Sequence, residues 1–317
     1  MHVLEGPRAE HPSPDRLHLD ERLPLPLALG WACSGAIGRA REMARTSEAE
    51  PIESVHEYRK ALHRVRAVVR LVQPLVGKRC TRRCLRELHD ALAGTAGFRD
   101  DDVLLQTLEK LQENGQLSKA CAEARRCLLA EARPRGAPRL ELVLRHGLQA
   151  ISPIPERLSA ELPSRLRRAE VREAVAASYR RLRAARRRAD ELREDEALHA
   201  FRKRVKEIRY QLELLGGATG RWATLAEELG GLTDLMLLRR WARGHRKALP
   251  KTEYRALVRE LDRRIARGVD EVIEGSERRF RRKATPFVRR ALRRRDQSPN
   301  GTAALRSLGG NPAHGRG

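Results

Sequence analysis

Five basic side chains recur at spacings of three, four, three and four: His56, Arg59, His63, Arg66 and Arg70. On an α-helix that spacing puts all five on one face. Nearly the same row returns as His199, Arg202, Lys206 and Arg209. Beside each row runs an apolar one at helical spacing: Leu62, Val65, Val69 and Val72 in the first, and Leu198, Phe201, Val205, Ile208 and Leu212 in the second. Only a helix sorts these residues into a charged stripe beside a core seam, so the chain has to fold with two such helices. Like charges at successive turns repel. Two stripes in one chain therefore point to a strongly anionic partner lying against them, with a cation met about every 5 Å along each axis.

The bulk numbers agree. Lys plus Arg number 66 against 42 Asp plus Glu, a net charge of +24 in 317 residues. That excess points to nucleic acid, an anionic membrane face or polyphosphate. Arginine greatly outnumbers lysine, which suits planar two-point contacts with phosphate oxygens. Aromatics are only 3%, which argues against a reader of single-stranded nucleic acid that stacks bases. The alternative is an arginine- and alanine-rich proteome that raises the pI of its proteins generally, but that would not place the charge in register. The five cysteines, Cys33, Cys80, Cys84, Cys121 and Cys127, form no secreted-type framework. Leu23 to Leu27 is too short and proline-broken for a signal peptide, and no apolar run approaches ~18 residues. A reduced cytoplasm without a membrane span is the expected compartment.

Leucine, alanine, arginine and glutamate dominate, and β-alternation is missing, so the expectation is an all-α chain. Residues 1–24 read as a loose arm, 25–150 and 151–297 as two halves, and 298–317 as a disordered tail. Helices are expected over 53–76 and 196–215 for the stripes, over 100–114, and over 221–230 and 233–248 as separate pieces. Ser54 is a candidate cap, and 133–156 reads as a linker because Pro134, Gly136, Pro138, Pro153 and Pro155 fall there. The halves repeat: Val55-His56-Glu57-Tyr58-Arg59-Lys60 aligns with Leu198-His199-Ala200-Phe201-Arg202-Lys203. Further on, each reaches an aspartate that starts an apolar helix, Asp100 in one and Asp234 in the other. That repetition implies a pseudo-two-fold bundle.

The ordered pair of motifs resembles the CHAD family, the conserved histidine α-helical domains. Val55-His56-x-x-Arg59 with His63, Arg64 and Arg66, then Leu198-His199-x-x-Arg202 with Lys206, Arg209 and Tyr210, carry the likeness. Arg99-Asp100-x-Asp102-Val103 and Leu229-Gly230-x-x-x-Asp234 resemble the family's second signature. His63 stands where the family usually has arginine, and Glu207 where it usually has a basic residue. The resemblance spans roughly 25 to 295. It implies two pseudo-symmetric four-helix-bundle-like halves around a basic central groove or pore. It also implies binding of inorganic polyphosphate and association with polyphosphate granules. The triphosphatase domain attached in some relatives carries a Glu-x-Glu-x-Lys signature that is missing here, so a stand-alone, non-enzymatic binding module is expected, without cofactor or metal.

His56, Arg59, Arg66, His199, Arg202, Lys206 and Arg209 are the expected core of the polyphosphate site. Lys60, His63, Arg64 and Lys203 flank it, and Arg70 extends it. The alternative partner for the same surface is nucleic acid, bound without sequence preference. A third reading is a phosphohydrolase whose Asp100, Asp101 and Asp102 hold a divalent ion. A structural role for those three at a helix N-terminus is preferred, as is a buried-thiol role for Cys80 and Cys84 over zinc with His89. The arginine-rich run from Arg278 to Arg295 either extends the polyanion surface, touches nucleic acid, or is solvated.

Overall fold

The computed structural model describes residues 19, 20, 22–113, 118–131 and 137–293. Most of the expected N-terminal arm and all of the expected tail lie outside the described residues. The described chain is all-α. Its helices are α1 (Leu25–Thr46), α2 (Pro51–Val72), α3 (Lys78–Gly94), α4 (Ala96–Gln112), α5 (Ser118–Glu131), α6 (Ala137–Ile151), α7 (Ile154–Glu161), α8 (Arg168–Leu192), α9 (Asp195–Leu214), α10 (Gly220–Gly244), α11 (Lys251–Phe280) and α12 (Ala284–Arg293). Among the described residues no helix is long and apolar enough to cross a membrane.

The stripe helices are α2 and α9. Pro51 opens α2 at a position whose N–H no helix uses, and Glu53 complements the positive end. Ser54 does not cap it. Ser54 lies one turn inside, buried, with its Oγ 3.3 Å from Thr46 Oγ1. α8 ends at Arg193, whose φ of 51° is left-handed. Glu194 then leads directly into α9, whose first turn carries Asp195 and Glu196. Asp195 accepts from Arg239 Nη2 at 2.7 and 2.9 Å, which ties the start of α9 to α10.

Leu62, Val65, Val69 and Val72 of α2 and Leu198, Phe201, Val205, Ile208 and Leu212 of α9 are all 0% exposed. Burying each such side chain stabilises the fold by roughly 1.5–3 kcal/mol. α2 packs against α1, α3 and α9, and α9 against α8 and α10. The main interior joins α1–α3, α6–α9, the start of α10, the end of α11 and α12. A smaller one joins α4, α5, the end of α10 and the start of α11. Both draw on residues before and after 150, so the two stretches of chain share their interior. At the expected arm's end Leu19 is buried, and its N–H donates to Leu214 O at 3.0 Å.

Three expectations of local structure change. Gly230 and Gly231 do not break α10, which runs unbroken from Gly220 to Gly244. Each glycine weakens a helix by only about 1 kcal/mol, and buried Leu229 and Leu232 on either side offset it. The expected linker at 133–156 contains α6, held by buried Leu140, Leu144 and Leu148. Asp100 to Asp102 are not at a helix N-terminus, because α4 begins at Ala96.

Candidate polyanion-binding cleft

The two stripes meet. α2 and α9 pack together, and His63, Arg66, Ala67 and Arg70 of one face Lys206, Glu207 and Tyr210 of the other across a narrow concavity that opens to solvent. His63, Arg66 and Arg70 of the first row and Lys206 of the second therefore line one cleft, and Arg59, Arg99 and Arg202 lie close enough to act on Lys206.

Each deep cation is placed by a specific neighbour. Arg59 Nη1 donates to Leu92 O at 2.7 Å and Thr95 Oγ1 at 2.6 Å, at the junction where α3 gives way to α4. A cation suits that site because carbonyls end α3 there. Arg202 runs against α10 where no side chain stands, and a Cβ on Gly230 would lie 3.3 Å from its Nη2. Arg99, on α4, donates to Asp100 Oδ1 and to Asp234 Oδ1 of α10, both at 3.0 Å. The two aspartates thus fix Arg99. They also act as opposite charges on the stripe, Asp100 on Arg59 and Asp234 on Arg202.

Crowding is visible in the protonation energetics. Burial first, and then Arg99 and Arg202 with Arg66, push the Arg59 guanidinium down to about 10 against the pull of Asp100. Burial and the like charge of Arg99 lower Arg202. Burial, then Arg70 and Arg204, lower Arg66 against the pull of Glu207. Lys206 falls to about 7 through burial, Arg202, Arg99, Arg59 and Arg66. His63 is driven well below the usual imidazole value by burial, Lys206 and Arg66, and His199 to about 4 by burial, Lys203 and Arg202. Both histidines are neutral at pH 7. His63 Nδ1 and Arg202 Nε are buried with no hydrogen-bond partner.

Not every expected residue joins the cleft. His56 is 71% exposed, with Glu57 Oε1 3.9 Å from its Nε2. Lys60 pairs with Glu57 at 2.8 Å on its own helix. Arg64 is buried, and its Nη2 donates to Glu213 Oε1 at 2.8 Å, tying α2 to α9. Arg209 lies over the Tyr210 ring, 5.7 Å from its centroid. Tyr210 lines the cleft instead, because a residue four on from Lys206 advances about 40° around the helix while one three on lags about 60°. Lys203 is exposed at the rim, and its pKa is lowered by burial of its stem and by Arg66 and Arg204. Arg70 holds Gln73 Oε1 at 3.1 Å from the rim.

Sequence reasoning left three site residues unassigned. Arg99 and Gly230 stand within the Arg99–Val103 and Leu229–Asp234 segments, where a glycine beside a stripe arginine is the detectable signal. Glu207 forms the far wall of the cleft, accepting from Arg204 at 2.6 Å and Arg181 at 3.4 Å. Among the described residues no group of three or more His, Cys, Asp or Glu side chains is placed to hold a metal ion.

The CHAD domain profile matches residues 31–243, more than half of the chain. The chain belongs to the CHAD domain family. No curated protein matches it. The CHAD match takes in both stripe helices, the Arg99 and Asp234 segments and all of the cleft, and it stops at the end of α10. α11 and α12 lie beyond it.

Proposed function

We propose that this CHAD protein binds inorganic polyphosphate along the cleft between α2 and α9 and catalyses no reaction on it. One observation carries the reading. The cleft gathers Arg59, Arg66, Arg202 and Lys206 beside Arg99, and burial together with the like charge of their neighbours depresses the proton affinity of those four, while His63 Nδ1 and Arg202 Nε find no acceptor in the protein. Unmet buried donors and unneutralised charge are both expensive. A chain of phosphates supplies the missing charge, and a turn of the His63 ring or of the Arg202 side chain brings the unmet donors to its oxygens. Neutral His63 serves as a donor when its Nδ1 carries the proton.

The family likeness supports the choice of polymer, and with it association with polyphosphate granules in the cytoplasm. Binding draws on counterion release and weakens steeply with salt. Nucleic acid would use the same charges, yet aromatics are only 3% of the chain, which leaves few ring faces on which bases could stack. Competition tests the choice. Long-chain polyphosphate should displace bound duplex DNA at equal phosphate concentration, and DNA should fail to displace polyphosphate. The reverse order would make this a nucleic-acid-binding protein.

A further inference from the structure

A second cationic surface lies where α8, α10, α11 and α12 meet, built from residues both within and beyond the CHAD match. The Tyr179 hydroxyl of α8 is shared between Arg279 O at 3.2 Å and Arg282 O at 3.4 Å, which pins the link from α11 to α12. The Tyr179 ring stacks on Phe287 with centroids 3.9 Å apart, and Trp222 meets both Phe287 and Phe280 edge-on. This block locks the start of α10 beside the end of α11 and the body of α12. Arginines cover it. The Arg221 guanidinium lies 5.1 Å from the Trp222 ring centroid and 5.7 Å from that of Phe287. Arg221, Arg282 and Arg290 are exposed, and Arg183 and Arg279 half-buried.

These arginines are close enough to act on one another. After burial and the neighbouring Tyr179 hydroxyl, the charges felt by Arg221 are those of Arg282, Arg290 and Arg279. Among the described residues Glu228, 3.3 Å from Arg279, is the carboxylate paired in this corner, and Arg183, Arg221, Arg282 and Arg290 have none. The N-terminus of α10, which carries no side-chain cap, adds its partial positive charge beside Arg221. Along α10, Arg221 and the cleft's Asp234 are 13 residues apart, so the corner and the cleft are separated by about 20 Å.

We propose that this corner is a second phosphate-polymer surface, so that each molecule holds polyphosphate at two places. The choice of polymer rests on the reading of the cleft. The chemistry favours bare phosphate over nucleic acid, because Tyr179, Trp222, Phe280 and Phe287 offer no exposed ring face for a base, whereas exposed guanidinium forks take phosphate oxygens in pairs. Two attachments raise avidity for a long chain and allow one molecule to bridge two chains.

Calorimetric titration of the full chain with polyphosphate too short to span both sites tests the idea. The parent should take two equivalents. Arg221→Gln with Arg282→Gln and Arg290→Gln should take one, and so should the cleft variant Arg66→Gln with Lys206→Gln. The single variant Arg282→Gln, on the exposed link, should weaken the corner's binding without disturbing helicity. With long-chain polyphosphate, the light scattering of mixed samples should fall in the corner variant. A parent that takes one equivalent, lost only in the cleft variant, overturns the corner and leaves the cleft standing. A corner variant that still takes two, or a corner that binds duplex DNA and not polyphosphate, overturns it as well. A parent that takes none overturns both readings.

Discussion

Lys206 is half-protonated near pH 7, because burial and then Arg202, Arg99, Arg59 and Arg66 pull its pKa from 10.5 to about 7. A phosphate oxyanion against the ammonium opposes these effects, so binding should draw in a proton. With the bound pKa restored toward the ordinary value, affinity falls about tenfold per pH unit above 7. Between pH 7 and 9 the loss is about 50-fold, or roughly 2 kcal/mol. Proton uptake should be about one half at pH 7 and about 0.9 at pH 8. His63 and His199 are already neutral in this window. Calorimetry in two buffers of different ionisation enthalpy reads the uptake directly. Lys206→Gln should abolish most of it and flatten the pH dependence. The same linkage acts on stability with a definite sign. The folded pKa lies below the unfolded one, so this group's penalty is full below pH 7 and shrinks as pH rises toward 10.5. Uptake near zero in the parent, or unchanged uptake in Lys206→Gln, would refute the reasoning.

Gly230→Ala puts a Cβ 3.3 Å from Arg202 Nη2. It should leave the protein as stable or slightly more so, since alanine favours a helix by about 1 kcal/mol. Polyphosphate affinity should drop about tenfold, the share of one displaced charge-assisted hydrogen bond; a thermal melt and a binding isotherm separate the two effects. Arg64→Gln should do the opposite. It leaves Glu213 without its 2.8 Å partner and should lower stability by about 3 kcal/mol in denaturant titration, with affinity unchanged within twofold.

Periodicity made the stripe helices legible. Every apolar position assigned to α2 and α9 is buried, because a repeated 3–4 spacing admits one solution. The family match bears out the resemblance drawn from the two His-x-x-Arg motifs. Punctuation by glycine and proline was less informative. Gly230 serves the passage of Arg202 rather than a helix end, and the prolines of 133–156 flank α6 instead of excluding it. Within the stripes, spacing could not separate a cation aimed at the cleft from one committed elsewhere. Arg64 and Lys60 found carboxylates at 2.8 Å that the sequence does not place nearby or does not rank. Arg99 joins the site from another helix, through a contact 135 residues away in sequence with Asp234. Such partners depend on tertiary packing, which a linear pattern does not encode.

A crystal structure with a short polyphosphate bound addresses the cleft most directly. The polymer should lie between α2 and α9, with oxygens in hydrogen-bonding reach of Arg66, Lys206, Arg202 and the ring of His63. A polymer ordered elsewhere on the protein, with the space between His63 and Lys206 left to solvent, would contradict the account.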